Sequence, residues 1–222
     1  MQRQCGIMLV ALLIMGVTFM TWRRNISPQF NDWNPLQTPV PIELFVMSKC
    51  PDKVDCEQVF SEVLKQVKVP VSLDVNYIGR PNSSQPYGVE CKHGPSECLG
   101  NIQELCFKQS YPDISDWFNG FTLCLNEEYQ DIGVDEYLTT KCANRIGKDY
   151  APVQTCSEGS EGTELLKNSV ERTLSLNVEK SCTIYINNKL RCIHDEVWKQ
   201  CEGGHDISDF ARTIEEAYNK GN

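Results

Sequence analysis

The sequence predicts an α/β fold in which a mixed sheet is flanked by helices and interrupted by a helical insertion. Three observations carry this expectation. A strand, a helix and a second strand open the ordered part of the chain. A long block with only helical periodicity follows, and a hairpin with one more helix closes the chain. The length of 222 residues suits one domain and suffices to bury a core without cross-links. An apolar fraction of 41% excludes a chain disordered by composition.

Residues 42–47 (IELFVM) form a short apolar run with strand character. After a loop at 48–55, Val59, Phe60, Val63, Leu64 and Val67 recur at helical spacing. Residues 70–77 alternate, with Val71, Leu73, Val75 and Tyr77 on one face of a second strand. Strand, helix and strand in this order imply a parallel pair joined by a right-handed crossover. Residues 79–89 are a loop rich in Gly, Pro, Asn and Ser. Helical patterns at 96–107, 114–126 and 134–145, the last capped by Asp135, then make up an insertion spanning about 79–150. A further helix at 160–174 carries the stripe Leu165, Leu166, Val170 and Leu174. Residues 183–186 and 189–193 pair across the tight turn Asn187-Asn188. A terminal helix at 206–218 presents Ile207, Phe210, Ile214 and Ala217. A four-stranded mixed sheet satisfies this order, which is the thioredoxin arrangement with a helical insertion, as one domain over 42–222.

Ahead of that domain stands an entry signal for the secretory pathway. Residues 6–22 form 17 residues without a charge, preceded by Arg3 and closed by Arg23 and Arg24. Residues 1–24 read as a signal anchor or a cleaved signal peptide. Small residues suited to cleavage are missing near 19–22, which favours the anchor, although the run is short for a span. A buried helix of the domain is the remaining reading. Residues 25–41, with Pro28, Pro35, Pro39 and Pro41, read as a linker. Beyond Arg24 the chain holds 18 basic against 30 acidic residues, a net charge of −12. So acidic a domain offers no stripe for a phosphate backbone, and nucleic-acid binding is excluded.

Twelve cysteines fit an oxidising compartment. Eleven follow the apolar run, an odd number that leaves one thiol free or bonded to another molecule. Sequons at Asn25 and Asn82 agree with luminal exposure.

Cys50 follows the first strand and stands before a helix, where free backbone N–H groups favour a thiolate. Lys49 and Lys53 add positive charge, so its thiol pKa is expected below that of a free cysteine. Cys56 is the nearest second thiol, in a C-x5-C spacing. A helix across the whole span would hold the two Cα atoms about 9 Å apart, beyond the roughly 7 Å that a disulfide allows. Pairing therefore requires a loop, and Asp55 with Gln58 three residues on supplies a capping-box start that would leave Cys50 in it. A redox pair, a structural staple and unpaired thiols all remain open for these two residues.

The segment Cys91-Lys92-His93-Gly94-Pro95-Ser96-Glu97-Cys98-Leu99-Gly100-Asn101, running on to Cys106, is the most specific in the chain. Its cysteine spacing does not suit a zinc site, and disulfides are the plainer reading. His93 reads as a hydrogen-bonding loop residue rather than a catalytic base. The segment resembles the signature of the gamma-interferon-inducible lysosomal thiol reductases. Cys91, His93, Gly94, Glu97, Cys98, Asn101 and Cys106 stand at the matching places, with Lys92 in place of Gln. The resemblance runs from about Ile42 to Cys201 and takes in Met47-Ser48-Lys49-Cys50-Pro51, residues 152–156 and residues 183–188. It implies a thioredoxin-like fold, a secretory or lysosomal setting and reduction of protein disulfides.

The chain departs from that family at two points. Lys53 stands where a Cys-x-x-Cys motif has its second cysteine. Cys182 stands where thioredoxin-like folds carry a cis-proline facing the redox pair, so a trans bond is expected there and a third thiol near Cys50. The reading reached is a luminal thiol–disulfide oxidoreductase of the secretory pathway, in the endoplasmic reticulum, Golgi or vacuole/lysosome. Cys50 attacks, and Cys56 resolves with Cys182 as substitute. The exchange needs no cofactor or metal. The expected partners are a disulfide-containing protein, a thiol donor and, if the first segment is uncleaved, a membrane. The rival reading is a non-catalytic binding or folding-assistance module in which Cys50–Cys56 is a permanent staple. A pair of Cys192 with Cys201 is favoured by their closeness after the hairpin.

Overall fold

The computed structural model describes residues 38–221. The apolar segment, most of the linker and the sequon at Asn25 lie outside the described residues.

The interior strand β1 (Val40–Val46) buries Val40, Ile42, Leu44, Phe45 and Val46 completely. Helix α1 (Pro51–Gln66) crosses to β2 (Val71–Tyr77), which pairs parallel to β1 from Val40↔Val71 to Val46↔Tyr77. Strands β3 (Arg80–Pro81) and β4 (Val89–Glu90) form a small separate ladder inside the expected loop. Asn82 opens the turn between them, its Oδ1 accepting from the Ser84 amide at 3.1 Å.

The insertion then runs through α2 (Pro95–Ser110), the helical stretch α3 at 114–126 with a π-turn at Trp117–Thr122, and α4 (Glu136–Arg145). Asp135 caps α4 as expected, accepting from the Tyr137 amide at 2.9 Å. Helix α5 (Ala151–Glu158), with a proline in its first turn, and α6 (Ser160–Ser175) lead back to the sheet. Strand β5 (Thr183–Ile186) runs antiparallel to β1 on the side away from β2. Asn187 and Asn188, both at positive φ, turn the chain into β6 (Lys189–Asp195), and α7 (Ile207–Asn219) closes the fold. Phe210 of α7 meets Phe60 of α1 with ring centroids 5.2 Å apart, joining the two helices on one face of the sheet.

Two expectations need correction. The sheet has five strands in the order β2-β1-β5-β6-β7, because Val197–Lys199 folds back on β6 as β7 after a reversal at Glu196. Asp195-Glu196 lacks the Asn or Gly that usually announces such a turn. Leu174, placed in the buried stripe of α6, is exposed, because its neighbour Thr173 is the residue of that turn that faces β2, donating to the Tyr77 carbonyl at 3.0 Å.

Candidate redox site

Strand β1 delivers the chain to a turn at residues 47–50, closed by the Cys50 amide donating to the Met47 carbonyl at 3.0 Å. Pro51 then begins α1, with Cys50 as its N-cap residue. Proline fits the first helical position because its fixed φ is helical and its missing N–H would have had no partner. This corrects the expected start at Asp55. The proline signal prevails, so the helix covers the whole interval between Cys50 and Cys56.

The consequence for sulfur is direct. Cys50 and Cys56 lie about 9 Å apart along the helix rise and form no disulfide. Cys56 is bonded instead to Cys182, with Cα atoms 6.3 Å apart. Cys50 is the only free cysteine among the described residues. The expected Cys50–Cys56 pair is thus replaced by a thiol beside a Cys56–Cys182 disulfide.

Cys182 follows a cis peptide bond, Ser181–Cys182, where a trans bond was expected. Both sides of this peptide are anchored. Cys182 exchanges backbone hydrogen bonds with His194 at 2.7 and 2.8 Å, and the Ser181 hydroxyl accepts from the Met47 amide at 3.1 Å. The Ser181 hydroxyl also hydrogen-bonds the Cys50 thiol, which brings the 181–182 peptide to the attacking position.

The thiol itself corrects another expectation. Cys50 is 6% exposed, and burial pushes its pKa up. The Asp52 charge pushes the same way, while hydrogen bonds from Ser181 and the backbone oppose. Neither lysine reverses this. Lys49 donates to the Ile132 carbonyl at 3.1 Å and to Ser96 at 3.4 Å. Lys53, wholly buried, points its ammonium into the core, 3.0 Å from Glu104, 2.9 Å from Asn126 and 3.2 Å from Glu57. Burial alone would lower the Lys53 pKa, but Glu104 and Glu57 overcome it and hold the ammonium above its ordinary value. Tyr77 donates to Glu104 at 2.7 Å, completing a polar cluster in the core.

Asp52 connects the thiol to a residue that the sequence did not single out. Its Oδ2 accepts from the Cys50 thiol at 3.6 Å, and its Oδ1 accepts from the Glu196 amide at 2.7 Å. Nδ1 of His194 lies 3.0 Å from that Oδ1. His194 is buried and packs its ring edge on Trp198, with centroids 4.6 Å apart. A lone histidine in a strand carries no motif; only the pairing of β5 with β6, which sets His194 opposite Cys182, reveals it.

The signature segment supports the turn that carries Cys50. Cys91 bonds Cys98, and Cys106 bonds Cys156. Gly94 caps α2 at φ 83°, a left-handed conformation that favours glycine. Buried Glu97 accepts from the His93 amide at 3.3 Å and bonds the His93 ring through Nδ1, so His93 is the hydrogen-bonded loop residue expected. Asn101 accepts from the Ser48 amide at 3.1 Å, and the Ser48 hydroxyl donates to the Glu97 carbonyl at 3.2 Å. A Cβ on Gly100 would stand 2.2 Å from Ile132 and 2.9 Å from the Ser48 hydroxyl, so this close approach needs glycine. The remaining disulfides are Cys124–Cys142 and Cys192–Cys201, the latter as the spacing suggested. Among the described residues no cluster of three or more His, Cys, Asp or Glu side chains could hold a metal.

Residues 41–146 match the family model described as gamma interferon inducible lysosomal thiol reductase, GILT. That stretch, 106 of the 222 residues, is similar to a GILT domain. GILT-like protein 1 of Drosophila melanogaster is 29% identical over 153 residues, covering 62% of this chain and 60% of that protein. A GILT-like protein of Caenorhabditis elegans is 24% identical over 168 residues, covering 71% of this chain and 49% of that protein. The matched region thus spans about half to three-fifths of these relatives. Among solved structures, the fold resembles Wolbachia pipientis alpha-DsbA1, with a TM-score of 0.55 at 14% identity, covering 88% of this chain and 95% of that one. Oxidised BdbD of Bacillus subtilis gives 0.54 at 17% identity, covering 82% and 88%. These likenesses establish the thioredoxin/DsbA-like fold. The matched GILT region contains Cys50, Cys56 and the whole signature, whereas Cys182 and His194 lie beyond it.

Proposed function

We propose that this chain is a thiol–disulfide oxidoreductase acting on protein disulfides in the lumen of the secretory pathway, with Cys50 as the attacking thiol and Cys182 as the resolving one. One observation carries the reading. A free thiol at the N-cap of α1 contacts the residue that precedes a disulfide-bonded cysteine.

The described disulfide is the oxidised end of a three-cysteine cycle. In the reduced protein, Cys50 attacks a substrate disulfide, forming a mixed disulfide and releasing one substrate thiol. The Cys182 thiolate then attacks the Cys50 sulfur, releasing the second substrate thiol and leaving Cys50–Cys182. Cys56 attacks the Cys182 sulfur, which frees Cys50 as a thiol and gives Cys56–Cys182. Two electrons have passed from the Cys56/Cys182 dithiol to the substrate, and a donor thiol restores them. Every step is a thiol–disulfide exchange, so no metal or organic cofactor enters. The GILT match and the five disulfides support an oxidising, luminal or lysosomal setting. No helix among the described residues is long and apolar enough to cross a membrane; the uncharged run within residues 1–24 is proposed as a signal anchor or signal peptide. Glycans at Asn25 and Asn82 belong to the same proposal.

The test is trapping. Reduced protein carrying Cys182→Ser is mixed with a disulfide-bonded protein, quenched in acid and separated without reductant. The expected result is an adduct through Cys50 that Cys50→Ser removes. An unmodified rate of product release in Cys182→Ser would overturn the resolving role. Absence of any Cys50 adduct would favour the non-catalytic module, a reading supported by the depth of Cys50 and by the way Cys56–Cys182 ties α1 to the sheet.

A further inference from the structure

Resting on Cys50 as the attacking thiol, we propose that Asp52 is a second catalytic residue, which takes the Cys50 proton during attack and returns it to the departing substrate sulfur, with His194 as its positioning residue.

The geometry supplies both halves of this transfer. Asp52 Oδ2 already accepts from the Cys50 thiol at 3.6 Å, so the proton faces its acceptor before substrate arrives. The other oxygen accepts from the Glu196 amide at 2.7 Å, and His194 Nδ1 stands 3.0 Å from it. Nδ1 of His194 is buried and has no hydrogen-bond partner of good geometry. The position of His194 is set by the two backbone hydrogen bonds to Cys182, which link the proton-handling group to the resolving cysteine. Lys199 of β7 also feels the Asp52 charge, but its ammonium is bonded to Asp195 at 2.9 Å. Lys53, the next residue of α1, faces the core cluster. Asp52 is thus the charged side chain bonded to the Cys50 sulfur.

Chemistry gives this carboxylate work to do. Burial keeps Cys50 as a thiol, so attack needs a proton acceptor at hand. In the forward step the Cys50 S–H bond breaks and its proton moves to Asp52 Oδ2. The Cys50 sulfur bonds the nearer substrate sulfur, and the substrate S–S bond breaks with its electron pair on the farther sulfur. Asp52 protonates that sulfur and is again a carboxylate. No proton or electron is left over. An alkyl thiolate leaves more slowly than an acidic heteroaromatic one, so a proton donated as it departs helps the alkyl case more.

The experiment exploits that difference. Pre-reduced full-length protein is reacted in single-turnover mode with two uncharged disulfides, 2-hydroxyethyl disulfide and 2,2′-dithiodipyridine. In Asp52→Asn the ratio of the alkyl to the heteroaromatic rate falls at least ~10-fold relative to the parent protein, within the range of a lost acid–base group. Asp52→Glu restores part of the ratio, and His194→Gln lowers it by a smaller factor. A ratio unchanged in Asp52→Asn, with both rates rising together, would show that Asp52 only holds the thiol protonated, and would overturn the proposal. Cys50→Ser separates this failure from that of the parent reading. If the Cys50→Ser protein reacts with both disulfides at the parent rates, the attacking role of Cys50 is itself wrong.

Discussion

Helices α1 and α2 begin alike and treat sulfur in opposite ways. Each has 16 residues, starts on a proline and carries an acidic residue in its first turn. At α2 the nearby cysteine is locked: Cys98 bonds Cys91 in the loop before the helix, and the first-turn acid Glu97 turns back to hold His93. At α1 the cysteine is left free. Lys53, in the first turn of α1, points into the core, Cys56 is taken by Cys182, and the first-turn acid Asp52 faces both the thiol and His194. A helix start with the same local grammar becomes a brace or a reactive end according to what the rest of the fold claims from it.

The largest expected effect lies in the core cluster that removes Lys53 from the thiol's surroundings. Lys53→Ala leaves Glu57 and Glu104 buried without their cation and is expected to cost about 3–5 kcal/mol in urea unfolding. A loss below about 1 kcal/mol would mean that the cluster does not hold α1 in place.

The pH dependence of the same cluster comes next. Burial first, and Glu104 second, push the Glu57 pKa up to about 7, with Lys53 opposing. Its Oε1 has no hydrogen-bond partner, which suits a neutral acid better than a carboxylate. The folded state therefore holds a proton that the unfolded chain releases near the ordinary value of about 4.3. Stability from this group is fully present below that value, falls as pH rises from there to about 7 and is flat above it, a change of up to roughly 4 kcal/mol. Equilibrium unfolding between pH 4 and 8 reads the slope, and Glu57→Gln should flatten it.

A smaller effect sharpens the comparison from the α2 side. Converting both Cys91 and Cys98 to Ser opens a short loop and is expected to cost about 2.5 kcal/mol. It should also speed alkylation of Cys50, because the Asn101 and Glu97 contacts that fix Ser48 lose their brace. Equal loss of stability with unaltered Cys50 alkylation would confine the signature to a structural role.

Much of the fold was legible because its signals are local. The alternation of residues 70–77, the apolar run of β1 and the Asn187-Asn188 turn each specify an element by period or by backbone preference. The helical insertion was equally readable, and Asp135 capped where expected. The site was legible only in part. Cys50 announced itself by its place between strand and helix, but its surroundings depend on residues brought together by tertiary pairing. Asp55 and Gln58 made a plausible helix start that Pro51 overrode. Lys49 and Lys53 looked like thiolate-stabilising charges, although their direction is set largely by partners more than 40 residues away in sequence, Ser96, Ile132, Glu104 and Asn126. His194 became visible only when β6 placed it beside Cys182.

The central claim concerns which sulfur atoms are joined. Differential alkylation of protein isolated under acid quench, followed by peptide mass spectrometry, tests it most directly. The account predicts that within residues 38–221 the first label falls on Cys50 alone, and that Cys56 and Cys182 emerge as one cross-linked pair and are reduced together. Recovery of Cys50 joined to Cys56, with Cys182 labelled as the free thiol, would contradict it.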